Sequence, residues 1–154
     1  MHLIGLVADT HGLIRPECRA ALEGVELILH AGDVGDSRVL EALEVIAPVE
    51  AVAGNIDEAD NPILKPQIVR TFDAVTVRVL HGHEIGAPTP EKLVARFRED
   101  VLIFGHTHKP VIVRFGQQLV VNPGAAGPRR FRLQPSVAVL SIDGAHTEAR
   151  LISL

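Results

Sequence analysis

Along these 154 residues, apolar runs of strand length alternate with helical patterns, and five of the runs end in a short polar cluster. Leu3 to Ala8 is a continuous apolar run that stops at Asp9, as expected of a strand buried on both faces of a sheet. A helix is predicted next, with Pro16 in its first turn, Cys18 to Leu22 in its middle and Gly24 at its end. Val25 to His30 reads as a second buried strand. Asp36-Ser37 can cap a helix from Arg38 to Ile46, whose Val39, Leu40, Leu43 and Ile46 share one face. Val49 to Ala53 then reads as a third strand. This βαβαβ order requires right-handed parallel crossovers, with helices covering a sheet.

Beyond a Pro-containing loop, Gln67 to Leu80 reads as two strands broken near Asp73-Ala74. Thr89-Pro90-Glu91 opens a helix through Phe97. Short strands follow at Val101 to Phe104, Val111 to Phe115, Leu119 to Val121, Val137 to Ile142 and Ala149 to Ile152. The pattern predicts a layered α/β domain with two packed sheets and helices outside. At roughly 100–200 residues per domain, residues 1–154 are expected to form one domain, with no room for a cap or lid.

Composition narrows the setting. Fifteen Lys and Arg against 19 Asp and Glu give a net charge of -4, so the chain as a whole would repel nucleic acid and anionic membranes. Any anion must be captured locally. Cys18 has no partner for an internal disulfide, there is no basic leader, and no apolar stretch nears the roughly 20 residues of a membrane helix. A cytoplasmic protein is the expectation. Eight His in a chain without Trp or Tyr is the one unusual choice of side chains.

The five polar clusters are Asp9-Thr10-His11, Gly32-Asp33, Gly54-Asn55-Ile56-Asp57, His81-Gly82-His83 and Gly105-His106-Thr107-His108. Each follows an apolar run, and the carboxyl edge of an open α/β sheet is where ligands bind. Asp9 with His11, His81 with His83 and His106 with His108 share an i, i+2 spacing, which in extended backbone points two donors to one side. Flanking glycines allow close backbone approach. A donor set of Asp, His and Asn without thiolate suits Mn, Fe, Zn, Co or Ni. The donors are too many for one tetrahedral ion, and two ions suit in-line phosphoryl chemistry.

In that order, Asp9-x-His11, Gly32-Asp33, Gly54-Asn55, His81-Gly82 and Gly105-His106-x-His108 resemble the calcineurin-like metallophosphoesterases, in particular their small bacterial and archaeal phosphodiesterase branch. His30-Ala31 and the loop Val121-Asn122-Pro123-Gly124 extend the resemblance. It implies a four-layer αββα sandwich, with two mixed β-sheets face to face and helices outside. Asp9, His11 and His108 would hold one metal, Asn55, His81 and His106 a second, and Asp33 would bridge them. The implied cofactors are two divalent ions, Mn first and Fe, Ni, Zn or Co as alternatives. The implied activity is hydrolysis of a small phosphodiester by a hydroxide bridging the metals, which Asp33, Asn55 and His81 would position. Asn122 and Gly124, with Asn55, are the expected substrate contacts.

One position departs from the wider family. Phosphoprotein phosphatases carry a His after Gly-Asn, which stabilises the transition state or protonates the leaving group. Here Ile56 stands there and can do neither, which disfavours protein phosphatase activity. The alternative is a metal-bearing interaction scaffold with little or no turnover, because the small retromer subunit resembles this chain in the same motifs, including an apolar residue after Gly-Asn. His83 lies outside the ligand pattern and reads as a loop residue or one that supports a ligand, with a substitute acid as the alternative. His30 is read as a satisfied core group or one that supports a ligand, Asp57 as a turn former, and His2 and His146 as surface or turn residues. Arg129, Arg130 and Arg132 read as a solvated face, since nucleic-acid binding wants a broader basic surface and stacking aromatics. The C-terminal strands offer edges for self-association.

Overall fold

The computed structural model describes residues 1–154. Its elements run β1 (His2–Val7), α1 (Cys18–Ala21), β2 (Leu27–His30), α2 (Ser37–Glu44), β3 (Val49–Ala51), β4 (Ile68–Phe72), β5 (Val75–Val79), a single 3-10 turn at His83–Ile85, α3 (Pro90–Arg96), β6 (Val101–Ile103), β7 (Val111–Phe115), β8 (Gln118–Asn122), β9 (Ser136–Asp143) and β10 (His146–Ser153). They form two five-stranded mixed sheets, ordered β10-β9-β1-β2-β3 and β4-β5-β6-β8-β7. The first is parallel along β1, β2 and β3 and antiparallel through β9 and β10. The second is parallel along β5, β6 and β8, with β4 and β7 antiparallel at its edges.

Period-two alternation decides how these sheets stack. Ile4, Leu6 and Ala8 of the first sheet and Val77, Val79, Ile103 and Val121 of the second face one another in a core of 19 buried residues. Residues one step along the same strands face outward. Val7, Ile28, Val137 and Val139 pack on α1 and α2 through Cys18, Leu22, Val39 and Leu43. Leu102, Phe104 and Val120 pack on Leu93 of α3. Because the inter-sheet layer is the largest of the three, burial between the sheets sets their alignment. The four-layer αββα sandwich expected from the sequence is the observed fold.

The helices obey their caps. Asp36 accepts from the Arg38 amide at 2.9 Å to open α2, and the Thr89 hydroxyl accepts from the Lys92 amide ahead of Pro90 to open α3. Two expectations shift. The first helix is reduced to Cys18–Ala21, because Leu22 already leaves helical geometry at φ -106 and ψ 15, and Gly24 follows at φ 86. The last strand spans His146–Ser153, since β10 pairs with the whole of β9 from His146 opposite Asp143 to Ser153 opposite Ser136. Its polar exposed positions had hidden its beginning. No helix is long and apolar enough to cross a membrane.

His2 is more than a surface residue. Its Nδ1 lies 2.8 Å from Glu26 Oε1, beside β2, and its Nε2 lies 3.3 Å from Asp73 Oδ1, in the β4–β5 turn of the opposite sheet. Hydrogen bonds to Asp73 and then Glu26 raise its pKa above the ordinary 6.5. The ion pairs it makes between the sheets are therefore complete below pH 6.5 and lost as pH rises through the elevated folded value. Comparing the thermal midpoints of the native protein and His2→Ala should show a gap that is widest near pH 5.5 and narrows by pH 8.5. A gap independent of pH would mean that the imidazolium is not what joins the sheets.

Candidate metal centre

The five polar clusters lie just past the carboxyl ends of five parallel strands. Asp9, Asp33 and Asn55 follow β1, β2 and β3 of one sheet, and His81 and His106 follow β5 and β6 of the other. Stacking the sheets brings these loops together across one seam. Backbone bonds tie the loops in pairs: the Asp9 amide donates to Gly32, the His11 amide to Asp33 and the Gly105 amide to His81.

The convergence of the i, i+2 donors does not come from extended backbone, as their spacing had suggested. Asp9, His11, Asp33, His106 and His108 all adopt positive φ, between 47° and 72°. Only two other non-glycine residues do so, so this left-handed geometry is concentrated at the site. Such residues cost about 1–3 kcal/mol each and persist where the surroundings over-determine them. Close approach explains the glycines. A Cβ on Gly54 would lie 2.1 Å from Asp33 Oδ1, and one on Gly32 would lie 2.7 Å from His81 Nδ1.

Asp9 is fully buried; its Oδ2 accepts from the His106 amide at 3.0 Å. Its Oδ1 has no hydrogen-bond partner, and His108, His11 and His81 present Nε2 atoms at 3.5, 3.9 and 3.9 Å. His11 Nε2 is likewise buried without a partner. Asp33 Oδ1 accepts from the Ile56 amide at 3.0 Å, leaving Oδ2 at 3.4 Å from His11 Nε2 and 3.3 Å from His81 Nε2. Asn55 Oδ1 lies 3.0 Å from both His81 Nε2 and His106 Nδ1. The groups Asp9, His11, His108 and Asp9, Asp33, His81 each place three ligand atoms within 4.8 Å of one another, and either could hold a metal ion.

Electrostatics favour a cation in the same place. Burial pushes Asp9 up to about 7, with the Asp33 charge adding to the shift and His81 opposing it. Burial opposes ionisation of Asp33 as well, but the hydrogen bond and charge of His81, the Ile56 amide and His11 outweigh it and bring its pKa to about 2. His81 shows the complementary balance: burial lowers its pKa, yet Asp33 and Asp9 raise it overall. Burial, together with the Arg130 and His11 charges, pushes His108 down to about 4, leaving its imidazole neutral and able to ligate.

The surrounding residues are braces. Asp57 accepts from the Val34, Gly35 and Gly54 amides at 3.1, 3.0 and 2.8 Å, consistent with its reading as a turn former. His30 is fully buried, with Nδ1 accepting from the Gly32 amide and Nε2 bonded to the Thr10 hydroxyl. Asn122 and Gly124 do not present free donors to a substrate. Asn122 donates to the Gly105 carbonyl and the Thr107 hydroxyl and accepts from the Gly124 amide, so both residues are consumed within the loop. The ring of His83 lies 5.3 Å from that of His81 and 6.4 Å from that of His106, at the rim. Arg129, Arg130 and Arg132 are all exposed, in keeping with a solvated face, and Arg130 Nη2 in addition stands 3.5 Å from His11 Nδ1. Composition signals a basic cluster there but not which arginine reaches the site.

Comparison with known proteins identifies the family. A model of the calcineurin-like phosphoesterase superfamily domain matches residues 2–145. A probable metallophosphoesterase of Methanothermobacter thermautotrophicus is 39% identical over 97% of this chain and 91% of its own length. The phosphodiesterase YfcE of Escherichia coli is 33% identical over 77% of this chain and 76% of its own. Among solved structures, Vps29 of Entamoeba histolytica complexed with Zn2+ superposes with a TM-score of 0.82 at 23% identity, covering 98% of each chain, a likeness of fold. The chain belongs to the calcineurin-like phosphoesterase superfamily.

The Asp9 carboxylate is costly to ionise where it sits. Asp9→Asn should therefore stabilise chelator-treated protein above pH 7, by roughly 2–4 kcal/mol. The sign follows from the raised pKa: the penalty is absent below the unfolded value of 3.8 and complete above about 7. Denaturant melts at pH 8 and pH 4.5 test this, with most of the gain gone at the lower pH. An Asp9→Asn variant less stable than the native protein at pH 8 would contradict it.

Proposed function

We propose that the chain is a metal-dependent phosphodiesterase acting on a small phosphodiester, with Asp33 as the shared ligand of two divalent ions. One observation carries the reading: Asp33 Oδ2 stands between His11 Nε2 and His81 Nε2, at 3.4 and 3.3 Å. In this reading Asp9, His11 and His108 serve one ion and Asn55, His81 and His106 the other. In the second set the three ligand atoms are 3.0, 3.0 and 3.3 Å apart. Donors about 2.1 Å from one ion in octahedral array are about 3.0 Å apart, so that spacing suits a cation. The orphaned Asp9 Oδ1 and His11 Nε2 fit the first set. Two divalent charges against Asp9 and Asp33 would leave the site at about +2, which lets an acidic chain hold an anionic ester.

Bound divalent ions supply Lewis acidity and an activated water for in-line attack on phosphorus. The chain supplies orientation. His81 Nδ1 lies 2.8 Å from the Ala31 carbonyl, and donation there aims its Nε2 lone pair at the site. Asn55 and Asp33 fix its other neighbours, and Arg130 over His11 is placed to meet a phosphoryl oxygen. Mn heads the candidate ions for this oxygen and imidazole set, with Fe, Ni, Zn and Co behind it. Ile56, 48% exposed beside Asn55, offers no proton to a leaving group, which supports diesters over phosphoproteins. The relatives named phosphodiesterase and metallophosphoesterase support the same class. That same Ile56, with the likeness of fold to Vps29, favours a metal-bearing scaffold as the second reading.

Purified protein assayed on a generic aryl phosphodiester should lose turnover on chelation and regain it with Mn. Asp33→Ala should lose bound metal and about a hundredfold or more of activity. Turnover that survives chelation overturns the two-metal reading, and metal retention without turnover selects the scaffold. Arg130→Ala should leave the metal content unchanged and raise KM about tenfold, the scale of one charge-assisted hydrogen bond. An unaltered KM would remove Arg130 from substrate binding.

A further inference from the structure

Beside the candidate metal centre, on the side of Asn55, lies a cavity of about 230 Å³ between the start of α2 and the loop after β3. Val34, Leu40, Ile56, Ile63 and Leu64 provide its apolar surface. Ile56 joins it to the centre: its amide donates to Asp33 Oδ1, its chain neighbour Asn55 contacts His81 and His106, and its own side chain lines the cavity. Ile63, at the cavity mouth, is 64% exposed, a large aliphatic surface for a loop residue to show to water.

Resting on the phosphodiesterase reading above, we propose that this cavity receives one ester arm of the substrate, and that the arm is small, aliphatic and not anionic. Three features of the lining select it. The volume lies below the roughly 300–1,000 Å³ of pockets that enclose drug-sized ligands, which favours a small arm. No aromatic residue lines the cavity, so a base has nothing to stack on. The charged groups lining it are Asp36, Asp57 and Glu58, with no Lys or Arg among them, so a second anionic group on the arm is repelled. Asp57 is already engaged with three amides and Asp36 with Arg38, and Ile56 and Ile63 are the exposed apolar side chains that an arm can cover. Arg130, over His11, is not among the residues lining the cavity, so its charge is offered to the phosphoryl group rather than to the arm.

The test has two arms. In methyl-labelled protein with Mg2+, titration with diethyl phosphate should shift the Ile56, Ile63 and Leu40 methyl resonances, whereas inorganic phosphate should leave Ile63 and Leu40 in place. Ile63→Glu, an exposed position that the fold tolerates, should weaken the diethyl phosphate response about tenfold. In turnover with Mn, ethyl p-nitrophenyl phosphate should exceed the p-nitrophenyl ester of thymidine monophosphate by about tenfold or more in kcat/KM, since each buried methylene contributes about fourfold. The two esters share a leaving group, so their ratio reports the other arm. Absence of Ile56 and Ile63 shifts with diethyl phosphate overturns the proposal, as does equal turnover of the two esters. Methyl shifts without turnover of either ester would uphold the cavity and overturn the phosphodiesterase reading instead.

Discussion

Burial between the two sheets is the constraint on which everything else depends. Ile4, Leu6 and Ala8 can meet Val77, Val79 and Ile103 only if the parallel portions of both sheets lie face to face. Once they do, the carboxyl ends of five parallel strands open onto one seam, and residues nearly a hundred positions apart become neighbours. The Asp9 carboxylate accepting from the His106 amide is the shortest statement of that geometry. Hydrophobic burial, which has no direction of its own, here decides where polar chemistry can be assembled.

The candidate centre places carboxylates where water is scarce. Asp9 and Asp33 lie close together in a buried setting, and their pKa values move in opposite directions. Asp33 has an amide donor and two imidazoles nearby, whereas one oxygen of Asp9 has no hydrogen-bond partner. An isolated pair of this kind is unfavourable, and a cation of high charge density is what would make it favourable. The left-handed donors add to the same account, since backbone conformations of that sort are sustained by their surroundings.

Much of the fold was legible because it rests on period two and on capping. The β4–β5 break at Asp73-Ala74, the Asp36 and Thr89 caps and the two-sided burial of β1 were all visible as residue patterns. The ordered Asp, His and Asn clusters marked where the site lies. What the sequence could not convey is how the donors are aimed. A positive φ at Asp9 or His106 is only weakly signalled by residue type, since Asp and His adopt it more readily than most residues yet usually do not, and the penalty is borne by contacts formed only after folding. Arg130 could not be told from Arg129 or Arg132 for a similar reason: its distance to His11 depends on the path of an irregular loop. Residue type also could not reveal that the Asn122 amide is engaged within its own loop, because an amide suited to grip a ligand is equally suited to grip nearby backbone.

Asp57 has a consequence that reaches past its turn. β3 is only three residues long and sits at the edge of its sheet, a weak foundation for the loop that bears Asn55. By accepting from Val34 and Gly35 on one loop and Gly54 on the next, a single carboxylate joins the two loops into one rigid unit. Asn55 therefore takes its position from β2 as much as from its own strand. The spacing of the polar atoms is thereby tied to the interior strand β2 as well as to the three-residue edge strand that precedes Asn55.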